Sequence, residues 1–206
     1  MILQNTLLTI ALALGTPWYG PGKSPETPEQ YQERLKTVSE AIAIEAHAAQ
    51  DWQWGEQSLA AATLATWFAE SRFALEVHNG SGKTKHGEDD GRAKCFGQLH
   101  QTGYVPKEEW KQLTGTDLES TRRCARATMR VLTAQAKRCR TPAGGPNVWS
   151  MSRVFTVYTT GKSCSTTKRG MMRARHWGRI MAQMAETASS GSTAQLAQPA
   201  KDTATE

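Results

Sequence analysis

Apolar residues recur every three or four positions along most of this chain, and no series of alternating positions marks a strand. Leu3, Leu7, Ile10 and Leu14 open the pattern at helical spacing. A Gly- and Pro-rich stretch, residues 15–28, breaks it and reads as a loop. Thr27-Pro28-Glu29-Gln30 then has the marks of a helix start: a threonine to cap, a proline at the first helical position, a glutamine to complete a capping box. Leu35, Val38, Ile42 and Ala46 follow at helical period.

The stretch from Ser58 to Ser71 is different in kind. Leu59 to Ala62, Leu64, Ala65, Trp67, Phe68 and Ala69 leave almost no polar face, and a helix that is apolar all round is a buried one. It delivers Glu70 and Ser71 at its C-terminal end. A carboxyl there feels apolar surroundings and the negative end of the helix dipole, and both disfavour its ionised form. The plain alternative is a glutamate reaching solvent at a helix end.

Residues 79–94 form a polar, Gly-rich loop carrying Glu88, Asp89 and Asp90, and Cys95-Phe96-Gly97-Gln98-Leu99 ends it. Thr116 or Asp117 can cap a helix to about Lys137, with Arg122, Arg123, Arg126 and Arg130 mostly outward. Asn147 can cap another, with Val148, Met151, Val154, Phe155 and Tyr158 at core spacing and Gly161 as its stop. A last helix spans roughly Arg169 to Glu186, and the Ser/Thr/Ala/Gln-rich residues 187–206 read as a disordered tail. The pattern predicts an all-α protein: an N-terminal segment over 1–26, one helical domain over 27–186, and the tail.

The chain has 206 residues and a formal net charge of +6. Between Lys162 and Ile180 there are six basic residues and no acidic one. That stretch reads either as a solvated helix face or as a grip for an anionic polymer. No RNA-binding or zinc-finger signature is present, so no nucleic-acid partner is expected. No metal or organic cofactor is implied by any motif.

Cys95, Cys124, Cys139 and Cys164 show no CxxC spacing. Cys124 and Cys139 lie near opposite ends of one helix, about 22 Å apart at ~1.5 Å rise per residue, which is beyond disulfide reach. Of the remaining pairings, Cys95–Cys124 with Cys139–Cys164 closes the shorter loops; buried free thiols are the alternative. Residues 2–14 read as a helix packed on the domain or as a secretory signal, and are too short and polar for a membrane span.

Three short motifs fall in order. The buried helix ends Ala69-Glu70-Ser71, a turn reads Gly97-Gln98-Leu99, and a later helix ends Tyr158-Thr159-Thr160-Gly161. This ordered set, over about residues 57–162, resembles the soluble lytic transglycosylase and goose-type lysozyme superfamily. The resemblance implies a lysozyme-like helical domain around a buried central helix, acting on the glycan strands of peptidoglycan. It implies Glu70 as general acid/base, Ser71 beside it to position substrate, Gln98 lining the groove and Tyr158 close to the catalytic carboxyl, with Gly97 and Gly161 also among the substrate-binding residues. The sequence departs from the family pattern at Cys95, Phe96-Gly97, Val157 and Thr159.

Glycoside cleavage needs a proton on the leaving oxygen, which Glu70 can give. An inverting hydrolase also needs a second carboxylate some ~6.5–9.5 Å away to activate water. Asp90 and Asp89 are the candidates, with Glu88 behind them. A transglycosylase needs none, because the C6 hydroxyl of muramic acid attacks within the same sugar. Trp52 and Trp54, in a loop-like segment, are candidate sugar platforms; Trp67 and Trp149 sit at core spacing; His78 and His100 flank the groove. The expected protein is a monomeric peptidoglycan lytic enzyme of the cell envelope. The alternatives are a non-catalytic, lysozyme-like wall-binding or structural module, such as a phage particle component, and a basic helical nucleic-acid binder.

Overall fold

The computed structural model describes residues 2–15, 26–75, 93–140 and 145–196. These form seven helices and, among the described residues, no strand beyond two isolated bridges. The helices are α1 (Ile2–Ala13), α2 (Pro28–Ala48), α3 (Gly55–Ser71), α4 (Lys107–Lys111), α5 (Leu118–Arg138), α6 (Val148–Thr160) and α7 (Lys168–Leu196). The all-α class read from the sequence is the class observed.

Local sequence sets the helix ends. Thr27 caps α2 by accepting from the Gln30 amide, Gln30 returns the bond to Thr27, and Pro28 occupies the first turn. Asp117 and Asn147 cap α5 and α6 through the amides of Ser120 and Ser150. Gly161 ends α6 at φ 66°, where a glycine carries no Cβ penalty.

The centre is α3, packed by α1, α2, α5 and α7. Every residue from Ser58 to Trp67 is buried. Thr63 and Thr66 survive there because each hydroxyl donates to the carbonyl four residues back, Leu59 and Ala62, so neither polar group is orphaned. Leu59, Leu64 and Trp67 are fully enclosed, and burying each contributes roughly 1.5–3 kcal/mol. On one side, α2 is tied to α5 by Glu45. Its Oε1 accepts from Arg122 Nε at 2.9 Å and Arg126 Nη2 at 2.9 Å, and its Oε2 accepts from Arg126 Nε at 2.8 Å.

On the other side, α7 lies against α3 and α6 through a buried stripe of Gly170, Arg173, Ala174, Trp177, Ile180 and Met184. Gly170 lets α7 come close to α6: a Cβ there would stand 2.1 Å from Thr156 Oγ1 and 2.5 Å from the Ser152 carbonyl. The helix does not end at Glu186 but continues to Leu196. Residues 187–196 hold Ala, Gln, Ser, Thr, Leu and one glycine, Gly191, without proline, so nothing in them forces a break. Residues 197–206 lie outside the described residues.

α1 packs on the domain through Leu7, Ile10 and Ala11. No helix among the described residues is long and apolar enough to cross a membrane. Two disulfides staple the fold, Cys95–Cys124 and Cys139–Cys164, which is the connectivity of the shorter loops.

Candidate active site

Glu70 occupies the last turn of α3, and the chain beyond it is held tightly. The Ser71 hydroxyl donates to the Trp67 carbonyl at 2.8 Å and accepts from the Phe73 amide at 3.1 Å. Arg72 and Phe73 both take the left-handed conformation, at φ 48° and 58°, at a cost of about 1–2 kcal/mol each. Buried contacts hold them there. Phe73 is fully enclosed between Phe68 and Phe96, and its carbonyl accepts from Arg34 Nε at 2.8 Å.

The Glu70 side chain is 17% exposed. Its Oε1 accepts from Arg173 Nη2 at 2.7 Å. Among the described residues its Oε2 takes no hydrogen bond, and it is not among the buried unpaired atoms. Two effects compete over the proton. Desolvation favours the neutral acid; Arg173, by charge and hydrogen bond, favours the carboxylate, with smaller help from Arg169 and His100. Desolvation wins, and the Glu70 carboxyl titrates above the usual carboxylate range. A carboxyl anchored by one oxygen, open at the other and inclined to keep its proton is suited to general-acid chemistry.

Opposite lies the Cys95–Gln98 turn. It is closed by paired bonds between Lys94 and Leu99 and by the Gln98 amide donating to the Cys95 carbonyl at 3.0 Å. Phe96 anchors it on Trp67, ring centroids 5.2 Å apart, and Cys95 is bonded to Cys124 of α5. Gly97 packs so closely that a Cβ would stand 2.6 Å from Thr128 Oγ1, 2.8 Å from the Tyr158 hydroxyl and 3.2 Å from Trp67 Nε1. The Gly97 carbonyl accepts from the Tyr158 hydroxyl at 2.6 Å. Burial first, and then the Glu70 charge, push the Tyr158 phenol well above its ordinary range, so it stays a neutral donor.

The structure thus gathers Glu70, Tyr158, Gly97 and His100, taken from three separate segments. Gln98 shares the turn, and its side-chain amide donates to the Cys95 carbonyl at 3.2 Å. Ser71 is buried and uses its hydroxyl to finish α3. Gly161 stands one turn beyond Tyr158, ending α6. Asp89 and Asp90, with Glu88 and His78, lie outside the described residues.

Two tryptophan assignments change. Trp52 is buried, with its ring edge-on to Trp54 at 4.9 Å, so it offers no open face as a sugar platform. Trp149 is 63% exposed, on the outward side of a first turn whose Ser150 and Met151 are buried. Trp67 is a core residue, as its spacing predicts. The basic stretch is not one solvated face: Arg175 and Arg179 point outward while Arg173 turns in to Glu70.

Arg173 is the site residue that the linear pattern does not single out. Its signal is its register, four residues before Trp177 and seven before Ile180 in the buried stripe of α7. A separate cleft of about 510 Å3, between α2 and α5, is lined by residues such as Glu45, Arg126, Arg130 and Lys137 and by none of the site residues. No family model matches the chain, and no curated protein or solved structure matches it either.

Proposed function

We propose that this protein is a lysozyme-like enzyme that cleaves the MurNAc–GlcNAc β-1,4 bond of peptidoglycan, with Glu70 as its acid/base. The observation that carries this reading is the state of Glu70. It is a carboxyl at the end of an enclosed helix, inclined to hold its proton, with one oxygen anchored and the other open. The ordered motifs around Glu70, Gly97-Gln98 and Tyr158 add the resemblance to lytic transglycosylases and goose-type lysozymes.

In this mechanism Glu70 passes its proton to the glycosidic oxygen as the bond from that oxygen to the anomeric carbon breaks. In the transglycosylase branch, the muramic-acid C6 hydroxyl then bonds to the anomeric carbon and returns its proton to the Glu70 carboxylate. In the hydrolase branch, water takes the place of that hydroxyl, and Asp89 or Asp90 activates it. Tyr158 fixes the Gly97–Gln98 turn as one wall of the groove. Disulfides persist in oxidising surroundings, so the two bonds fit a compartment outside the cytosol, and we assign the protein to the cell envelope.

One observation favours a second reading, a wall-binding module without catalysis: Glu70 is engaged by Arg173 in an ion pair of the kind that also serves structure. Mass analysis of the products released from purified peptidoglycan, by wild type and Glu70→Gln side by side, separates the two. The enzyme reading expects release that falls at least about 100-fold in the variant. Anhydro-sugar products assign a transglycosylase, and reducing ends a muramidase. No release by wild type from several wall types, together with retained binding to them, assigns the module.

A further inference from the structure

Among the shielded glutamates that meet arginines, Glu45 and Glu70 do so differently. Glu45 has both oxygens taken, by Arg122 and Arg126, and is saturated. Among the described residues, Glu70 takes a single bond at Oε1 and none at Oε2. Its partner is equally unsaturated. Arg173 is 4% exposed, yet its Nε and Nη1 are buried without a hydrogen-bond partner among the described residues.

A buried guanidinium with unpaired donors is costly, and an apolar residue in the same stripe, beside Trp177 and Ile180, would cost nothing of the kind. Stability therefore does not account for arginine at this position. What the side chain does achieve is a grip on one oxygen of Glu70 from a helix other than its own. The guanidinium is planar and held by packing along α7, so the bond fixes where that oxygen sits.

We propose that Arg173 is a positioning residue, which holds Glu70 by Oε1 and thereby reserves Oε2 as the oxygen that carries and passes the proton. This rests on reading Glu70 as the acid. Among the described residues, the other groups facing Glu70 are Arg169 on α7, His100 after the turn and Tyr158 on α6. Arg169 and His100 act at longer range, without a hydrogen bond to Glu70. Neither can replace the contact at Oε1, so the two oxygens become equivalent once Arg173 is gone.

The experiment is a carbon-13 titration of the Glu70 carboxyl in wild type, Arg173→Gln and Arg173→Lys, alongside pH profiles of glycan release. The glutamine variant is expected to move the Glu70 midpoint upward by about one pH unit. It is also expected to lower kcat about tenfold or more with KM changed less than about twofold. Arg173→Lys should bring the midpoint back towards wild type without restoring kcat, since it returns charge but not the planar fork. In wild type, the Arg173 Nη2 resonances should follow the Glu70 titration, a readout that needs no variant to fold. An unmoved Glu70 midpoint in Arg173→Gln, or Arg173 resonances that ignore the titration, overturns the proposal. Absence of glycan release by wild type would sink the enzymatic reading instead, and the titration would still decide whether Arg173 governs Glu70.

Discussion

The Tyr158 hydroxyl donates to the Gly97 carbonyl at 2.6 Å, and the space where a Gly97 side chain would begin is already filled by that same hydroxyl. One residue on α6 thereby fixes both the height and the identity of a residue 61 positions earlier. Alanine at Gly97 would force Thr128, Tyr158 and Trp67 apart at once. We expect Gly97→Ala to cost about 1–3 kcal/mol in urea unfolding. A change below about 0.5 kcal/mol would mean that the three groups yield freely, and that the turn is not set by Tyr158.

The raised Glu70 carboxyl makes stability depend on pH in a defined direction. Below the ordinary glutamate range, the group is protonated in both folded and unfolded chains, and its contribution is fully present. As pH climbs, the unfolded chain releases this proton first while the folded chain retains it. Stability is then lost until the folded midpoint is passed. Wild type should therefore lose ground to Glu70→Gln as pH rises through that window, by at most about 1.4 kcal/mol per pH unit. Denaturant melts of both proteins across the acid range check this; a difference that is level or grows in favour of wild type would contradict a raised Glu70.

Ser71 offers a clean separation of structure from chemistry. Its hydroxyl bridges the Trp67 carbonyl and the Phe73 amide. Ser71→Ala should cost about 1 kcal/mol in thermal or chemical unfolding, with glycan release per folded molecule nearly unchanged. Normal stability with a large fall in kcat would assign the hydroxyl to the substrate.

The Cys95–Cys124 bond closes a span of 29 residues. Replacing both cysteines by serine should cost about 2–4 kcal/mol. Amide exchange should quicken first around Gly97 and Gln98, because the bond ties that turn to α5. Equal melting temperatures with and without reductant would argue that the turn does not depend on it.

The sequence made the scaffold readable where chemistry is local. The box formed by Thr27 and Gln30, the caps at Asp117 and Asn147, the Gly161 stop and the enclosed character of α3 all follow from neighbours within a few residues. Glu70 was legible because it ends a stretch with no polar face. Arg173 was not, because an arginine inside a basic run looks solvated until the helix docks and its register turns one side inward. Trp149 and Trp52 failed in opposite senses for the same reason. Periodicity says which residues share a face; it does not say on which side of that face an adjoining indole falls, or that a loop indole will be covered by its neighbour. The short helix α4 and the interplay of Tyr158 with Gly97 are likewise products of assembly.

Glu70 is set down at the end of α3, but the arginine that holds it arrives 103 residues later, on α7. A ribosome must therefore deliver almost the whole domain before the two can meet. Until α7 docks, the growing chain carries a glutamate with nothing to orient it. If Arg173 acts as proposed, the arrival of α7 is itself the event that arms the site.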